Sequence, residues 1–366
     1  MRAASLSLLL LAAAACGGEH PYRIGVAAGP IVYDAADLAA KEVNATGRID
    51  GRPLRLTRGD TLDKSTGAAH AAKLARDFVS DTLVRAVIQK SDEEGMEAAA
   101  PVYESGALPA LVLAPALAPS GKWVFHLLPR AEEEAALLAS EARRIWAPKR
   151  VAIVHAPDRY GQQMSALVRQ GLEGVEVALD TVYPAGADTA GLGALERRIA
   201  DAKPSLVFWL GDSRPLGAIF SQLRTDIADL RVLGSDAVES ARVQTNEECN
   251  FCGLVFARAV DPAADSAKYA NFQYRFTVWM GRPTTSEAVL AYDAVGLLAQ
   301  ALRSGARSRA QLRDYLASLG RTRPAYQGYS GPIAFDSAGV ATRKLQLAEV
   351  TGQGIVPVEA PPVAAN

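Results

Sequence analysis

Apolar, β-rich runs punctuate the chain at regular intervals. The segments "YRIGVAA", "PLRLTRG", "VRAVIQ", "LPALVLA", "RVAIVHA", "VEVALDTVY", "SLVFWLG" and "LRVLGSD" each read as a strand, and stretches with helical spacing separate them. Strands buried on both faces show such unbroken apolar runs, so the alternation predicts parallel sheets covered by helices on both sides. Two helices can be drawn in detail. Ala288, Tyr292, Val295, Ala299 and Leu302 recur at steps of four and three and make one apolar face. Ala135, Leu138, Ala142 and Ile145 line one side of another, whose opposite side carries Glu132, Glu133, Glu141 and Arg144.

The strands fall into two blocks. One runs from about Tyr22 to Pro129, and the next opens at "RAEEEAALLA" ahead of "RVAIVHA". No flexible linker divides them, which predicts lobes sharing a hinge. No repeat of solenoid period occurs. The closing "VPVEAPPVAAN" is rich in proline and alanine, and residues 358–366 read as a disordered tail.

Composition narrows the class. The 366 residues are 49% hydrophobic and 22% charged with a formal net charge of −1, a balance that favours neither nucleic acid nor an anionic membrane surface. At the N-terminus, "LSLLLLAAAA" after Arg2 is too short to span a bilayer and ends in small residues, so residues 1–15 read as a secretory signal. It stops at Cys16, and "AAAACGG" resembles a lipoprotein processing site, with Ala13 a weaker match than the usual leucine. Acylation of Cys16 is therefore expected; an ordinary secreted protein is the alternative. Three cysteines are an odd number for an exported chain, and lipidation of Cys16 leaves the pair Cys249 and Cys252 in "EECNFCG". Gly253 replaces the histidine of a haem site, and two further zinc ligands are missing nearby. A short structural disulfide is the expected state, with thiol–disulfide exchange as the alternative.

Catalytic signatures are sparse. GxSxG, HExxH and GxxxxGK[ST] are absent, and "GLGALER" lacks the third glycine of a dinucleotide loop and follows no strand. The four histidines, His20, His70, His126 and His155, lie far apart in sequence. No enzyme, cofactor or metal site is expected.

Taken in order, "IGVAAGP", "AKEVNATGRIDGRPLRL", "AAPVYESGALPAL", "RVAIVHAPDRYGQQM", "VLGSDA", "AVLAYDAVGLLAQAL" and "YQGYSGPIAFDSAGV" resemble the branched-chain amino-acid type of periplasmic solute-binding protein, the receptor of an ABC importer. The resemblance spans nearly the whole mature chain. It implies two doubly wound parallel-sheet lobes joined by a three-segment hinge, with a ligand caught between them. By that analogy residues 22–129 and 261–324 form the first lobe, and residues 130–260 and 325–357 the second.

Open parallel sheets bind ligands beyond the carboxyl ends of their strands. Those ends are Ala28 to Pro30, Lys90 to Asp92 and Ala114 to Ala116 in the first lobe. In the second they are Asp158 to Tyr160, Asp212 to Arg214 with Ser213 between, and Ser235 with Asp236. The resemblance implies that hydroxyls and backbone amides of the first lobe hold an amino acid's carboxylate, and an acid of the second its ammonium. "VLGSDA" puts Asp236 in that acid's place; capping the turn after a strand is its other reading. Tyr160 becomes a cleft wall or packs beneath the surface. Tyr292 belongs to a segment near the cleft in the family, while its helical spacing favours core packing.

The first-lobe half departs from the pattern. In "VIQKSDEEG", Asp92 and Glu93 follow Lys90 and Ser91 where small hydroxyl residues usually stand, and "LAPALAP" has Ala114 and no threonine. The three acids Asp92, Glu93 and Glu94 suit a helix start themselves, so a free α-carboxylate is poorly served unless Lys90 supplies charge. A cationic or neutral guest fits as well. The expected protein is a monomeric, lipid-anchored binding protein that delivers a small-molecule ligand to an ABC permease. A sensor of the same fold, a ligandless envelope scaffold and an exported CxxC redox protein are the alternatives.

Overall fold

Strand β1 (Tyr22–Ala27) leads into helix α1 (Pro30–Ala45), where Pro30 at the first turn supplies a preset φ and needs no N–H partner. The alternation continues through β2 (Leu54–Arg58), α2 (Gly67–Ser80), β3 (Val84–Gln89), α3 (Glu93–Ser105), β4 (Ala110–Val112) and β5 (Val124–His126). These five strands form one parallel sheet in the order β2-β1-β3-β4-β5. The computed structural model describes residues 20–59, 67–117, 121–185, 188–245, 249–260 and 266–358. The expected signal segment, Cys16 and all but the first residue of the expected tail lie outside that set.

The chain then crosses to a second sheet at Pro129 and Arg130. It runs through α4 (Ala131–Trp146), β6 (Arg150–His155), α5 (Arg159–Gly171), β7 (Glu176–Val182), α6 (Thr189–Ala202), β8 (Leu206–Leu210), α7 (Ser213–Asp226) and β9 (Arg231–Gly234). A 3-10 turn (Asp236–Val238) and α8 (Ala241–Thr245) precede β10 (Leu254–Arg258). Trp209 of β8 stacks on Tyr183 with ring centroids 5.2 Å apart, and both are buried.

At Arg258 the chain returns to the first lobe. There α9 (Ser266–Met280), α10 (Ser286–Arg303) and α11 (Arg309–Ser318) cover the face of the first sheet that α1 also covers, while α2 and α3 cover the other. Thr285 caps α10, and Ser308 with Gln311 forms a reciprocal capping box on α11. The short hairpin β11 (Tyr326–Gly328) and β12 (Gly331–Ile333) follows. The last crossing leads to β13 (Gln346–Thr351) and β14 (Gly354–Pro357), which close the second sheet as β14-β13-β10-β9-β8-β6-β7.

The architecture is the expected pair of α/β lobes. Two details differ from the expectation. The second sheet is not wholly parallel, because β13 pairs antiparallel with β10 and β14 antiparallel with β13. The third crossing comes after Ala341 and not at residue 325: Ile333, Phe335 and Ala341 pack in the first-lobe core, with Phe335 edge-on to Phe125 at 5.1 Å. Leu347 and Ala348 are the first residues of this segment inside the second core.

Candidate functional site

A cavity of about 560 Å³ opens between the two sheets, where the carboxyl ends of strands from both lobes face each other. That volume lies in the range of small-molecule sites. From the first lobe, the exit of β3 contributes Lys90, Ser91, Asp92 and Glu93, and the exit of β4 contributes Leu113, Ala114 and Pro115. The start of α10 adds Thr285, Ser286 and Glu287. From the second lobe, the exits of β6, β8 and β9 bring Asp158 with Tyr160, Asp212 with Arg214, and Asp236 with Glu239.

Local backbone geometry explains why these side chains converge. Asp158 accepts from the Gly161 N–H at 2.9 Å and starts α5 within three residues of β6. A Cβ on Gly161 would lie 2.3 Å from the Ala156 carbonyl oxygen, so only glycine permits so tight a strand-to-helix turn. Gly211 plays the same part after β8, where a Cβ would meet the Tyr183 hydroxyl at 2.3 Å. That hydroxyl instead accepts from the Asp212 N–H at 3.1 Å. Asp92 caps α3 by accepting from Gly95 N–H at 2.9 Å, as its place in the sequence suggested.

Asp236 stands at the centre of the second-lobe wall. The Tyr160 hydroxyl donates to its carboxylate at 3.2 Å, and its own N–H donates to Glu134 Oε1 at 2.6 Å. Glu134 lies behind the wall, 1% exposed. Burial, reinforced by Asp236, raises the Glu134 carboxyl well above the ordinary range, so Glu134 gives up its proton less readily than an ordinary glutamate. Burial also raises Asp236, opposed by the Lys90 ammonium and the Tyr160 hydroxyl. Burial, then Glu134 and Asp236, raises the Tyr160 phenol, which therefore remains a donor. Across the cleft, Lys90 Nζ lies 3.4 Å from Glu287. Burial works against its charge, but Glu287 and Asp236 outweigh it and hold the ammonium above its usual value. Glu93 is pushed up to about 7 by burial and by Glu97.

Two expected site residues lie elsewhere. Ser213, one position past the helix cap Asp212, turns inward and pairs with the Ser240 hydroxyl at 2.7 Å. Tyr292 is packed in the first-lobe core between Phe272 and Tyr329, with ring centroids at 4.8 and 5.2 Å, and its hydroxyl bonds Glu42. The turn Ala28 to Pro30 does not reach the cavity lining either, because α1 begins at once after β1. Sequence reasoning missed Glu134, Glu239 and Glu287. Glu134 carried a signal: it falls on the apolar stripe between Ala131 and Leu138, where a solvated glutamate has no place.

Glu239 joins the cleft to the hinge. It forms a buried ion pair with Arg258 at 3.1 Å and accepts from the Ser286 N–H at 3.2 Å. Arg258 also donates to Tyr269 at 2.8 Å and to Ser286 Oγ at 3.2 Å. At the third crossing, Arg343 donates to the carbonyls of Ala259 and Ser330, both at 3.2 Å. Arg159 of α5 pairs with Glu97 of α3 across the mouth of the cleft. Among the described residues no cluster could hold a metal ion.

The profile of the periplasmic binding protein family matches residues 25–354. The chain belongs to that family. Solved structures agree on the fold of this binding protein, the type I form found in ABC importers. LivJ from Streptococcus pneumoniae, in complex with isoleucine, is 20% identical over 93% of this chain and 99% of its own, with a TM-score of 0.79. A leucine-binding LivK from Thermotoga maritima is 20% identical, covers 93% and 99%, and has a TM-score of 0.77. A solute-binding protein from Rhodopseudomonas palustris in complex with 3,4-dihydroxybenzoic acid is 17% identical with the same coverages and a TM-score of 0.77. Among curated proteins none matches the chain.

Proposed function

We propose that this binding protein captures a small polar ligand, an amino acid or a related amine or amide, between its lobes and presents it to the permease of an ABC importer. The carrying observation is the cavity walled by strand ends of both sheets. A guest that touches both walls binds the closed form better than the open one and so drives closure about the crossings at Arg130, Arg258 and residues 342–345. Asp236 receives the ammonium, with Tyr160 orienting its carboxylate. Lys90, Ser91 and Ala114 form the facing wall, and Asp158 and Asp212 shape the second-lobe rim. No bond is made or broken.

Export by the N-terminal signal and a lipid on Cys16 would hold the monomeric receptor near its permease. The approach of Cys249 and Cys252, with Cα atoms 5.0 Å apart, supports a disulfide between them in that oxidising compartment. A thermal-shift screen of the protein lacking residues 1–16 tests capture. Amino acids, amides, amines and carboxylates are the probes, and a saturating ligand raises the melting temperature. A flat response to all four classes defeats the proposal. Cys16→Ser should move the protein from the membrane to the soluble fraction, and continued membrane retention refutes the lipid tether.

A further inference from the structure

On the capture reading above, we infer that the ligand is an organic cation without a free carboxylate, a primary amine or the amide of an amino acid. A carboxylate guest needs N–H donors or a cation that the protein has not already committed, and helix starts are the usual source. Here the starts of α3, α5 and α10 at the cavity are occupied by the chain's own oxygens, while α7 begins at Asp212 without a side-chain cap but behind that residue's own carboxylate. Asp92 takes the Gly95 N–H of α3, and Asp158 takes the Gly161 N–H of α5. On α10, Thr285 accepts from Ala288 N–H at 3.4 Å while Glu239 reaches across from the other lobe to the Ser286 N–H. Ala114, at the exit of β4, offers no hydroxyl.

Charge tells the same story. Among the described residues seven carboxylate side chains line the cavity against the two cations Lys90 and Arg214, and Arg258 behind the wall balances one of the seven, Glu239. Lys90 already faces Glu287, and Arg214 is exposed at the rim. A guest carboxylate would meet an excess of like charge, whereas an ammonium meets Asp236, whose acceptor capacity exceeds the bonds it takes from the Tyr160 hydroxyl and the Glu134 carboxyl. The apolar Leu113, Leu128 and Leu290 on the same lining leave room for a short hydrocarbon stem.

Matched probes separate this ligand class from the capture reading. Leucine, leucinamide, 3-methylbutylamine and 4-methylpentanoate share one side chain, as do benzylamine and benzoate, and 1,4-diaminobutane adds a dication. Titration calorimetry on the protein lacking residues 1–16 should give leucinamide or one of the amines a dissociation constant at least about tenfold below those of leucine and the carboxylates, with the gap narrowing as salt rises. Leucine or a carboxylate binding as tightly as its amine or amide overturns the carboxylate-free assignment and leaves capture intact. Binding by none of the probes overturns the assignment as well, and a flat response across the wider thermal-shift screen takes capture with it. The double variant Asp92→Ser, Glu93→Ser should narrow the amine-to-leucine gap at least about threefold by taking two carboxylates away from the α3 start while keeping it capped; an unchanged gap in a folded variant removes that helix from the discrimination.

Discussion

Asp236 concentrates the electrostatics of the cleft in one carboxylate, held by the Tyr160 hydroxyl in front and by its own N–H on Glu134 behind. Asp236→Asn keeps the shape and removes the charge, so an amine ligand should lose about 2–5 kcal/mol of affinity, read by calorimetry. An unchanged affinity would move the ammonium site elsewhere. Glu134 makes a separate prediction through pH. Its folded-state acidity is weakened, so the folded protein keeps a proton that the unfolded chain sheds, and stability falls as pH rises from the ordinary carboxyl range through the raised value. Melting temperature should decline as pH rises above the ordinary carboxyl range without ligand, and Glu134→Gln should flatten part of that slope. That Asp236, Tyr160 and Lys90 line the cavity was legible because strand ends and helix starts carry recognisable residues. Glu134 was missed although its place on the apolar stripe of α4 set it apart from Glu132 and Glu133, because the charge pattern alone treats the three consecutive glutamates alike.

Among the elements, α10 is the most thoroughly enclosed, with buried residues on every side. Leu298 sits at its centre, fully buried, and Leu298→Ala should cost about 2–5 kcal/mol in chemical denaturation. The same enclosure explains Tyr292: its periodicity marked a core face, and the ring indeed fills core space beside Phe272. Strands β1 to β4 and β6 to β9 were legible as apolar runs. The three-residue β5 and the hairpin β11–β12 are too short to make a pattern, and their pairing is set by distant contacts such as His126 with Val340. β10 was hidden differently. "LVFAR" is as apolar as its neighbours, but it follows a short helix and the cysteine turn instead of a long amphipathic helix, so the alternation that revealed the others breaks there.

For the whole molecule, two lobes followed from the strand pattern and three crossings from the family resemblance, while the third crossing was placed too early. The hairpin and the segment through Ala341 had to be seen against Phe125 before their lobe could be assigned. Closure itself can be probed at the mouth, where Arg159 meets Glu97. Glu97→Lys sets two cations against each other there. Small-angle scattering should then report a larger radius of gyration without ligand, and saturating ligand should reverse it; identical profiles for both proteins would show that this pair does not govern opening. Deeper in, Glu239 both walls the cavity and balances Arg258 at the second crossing. One negative charge thus serves recognition and movement together. A visitor that draws Glu239 toward itself slackens the joint on which the halves swing, so what the pocket prefers and how readily it shuts cannot be adjusted independently.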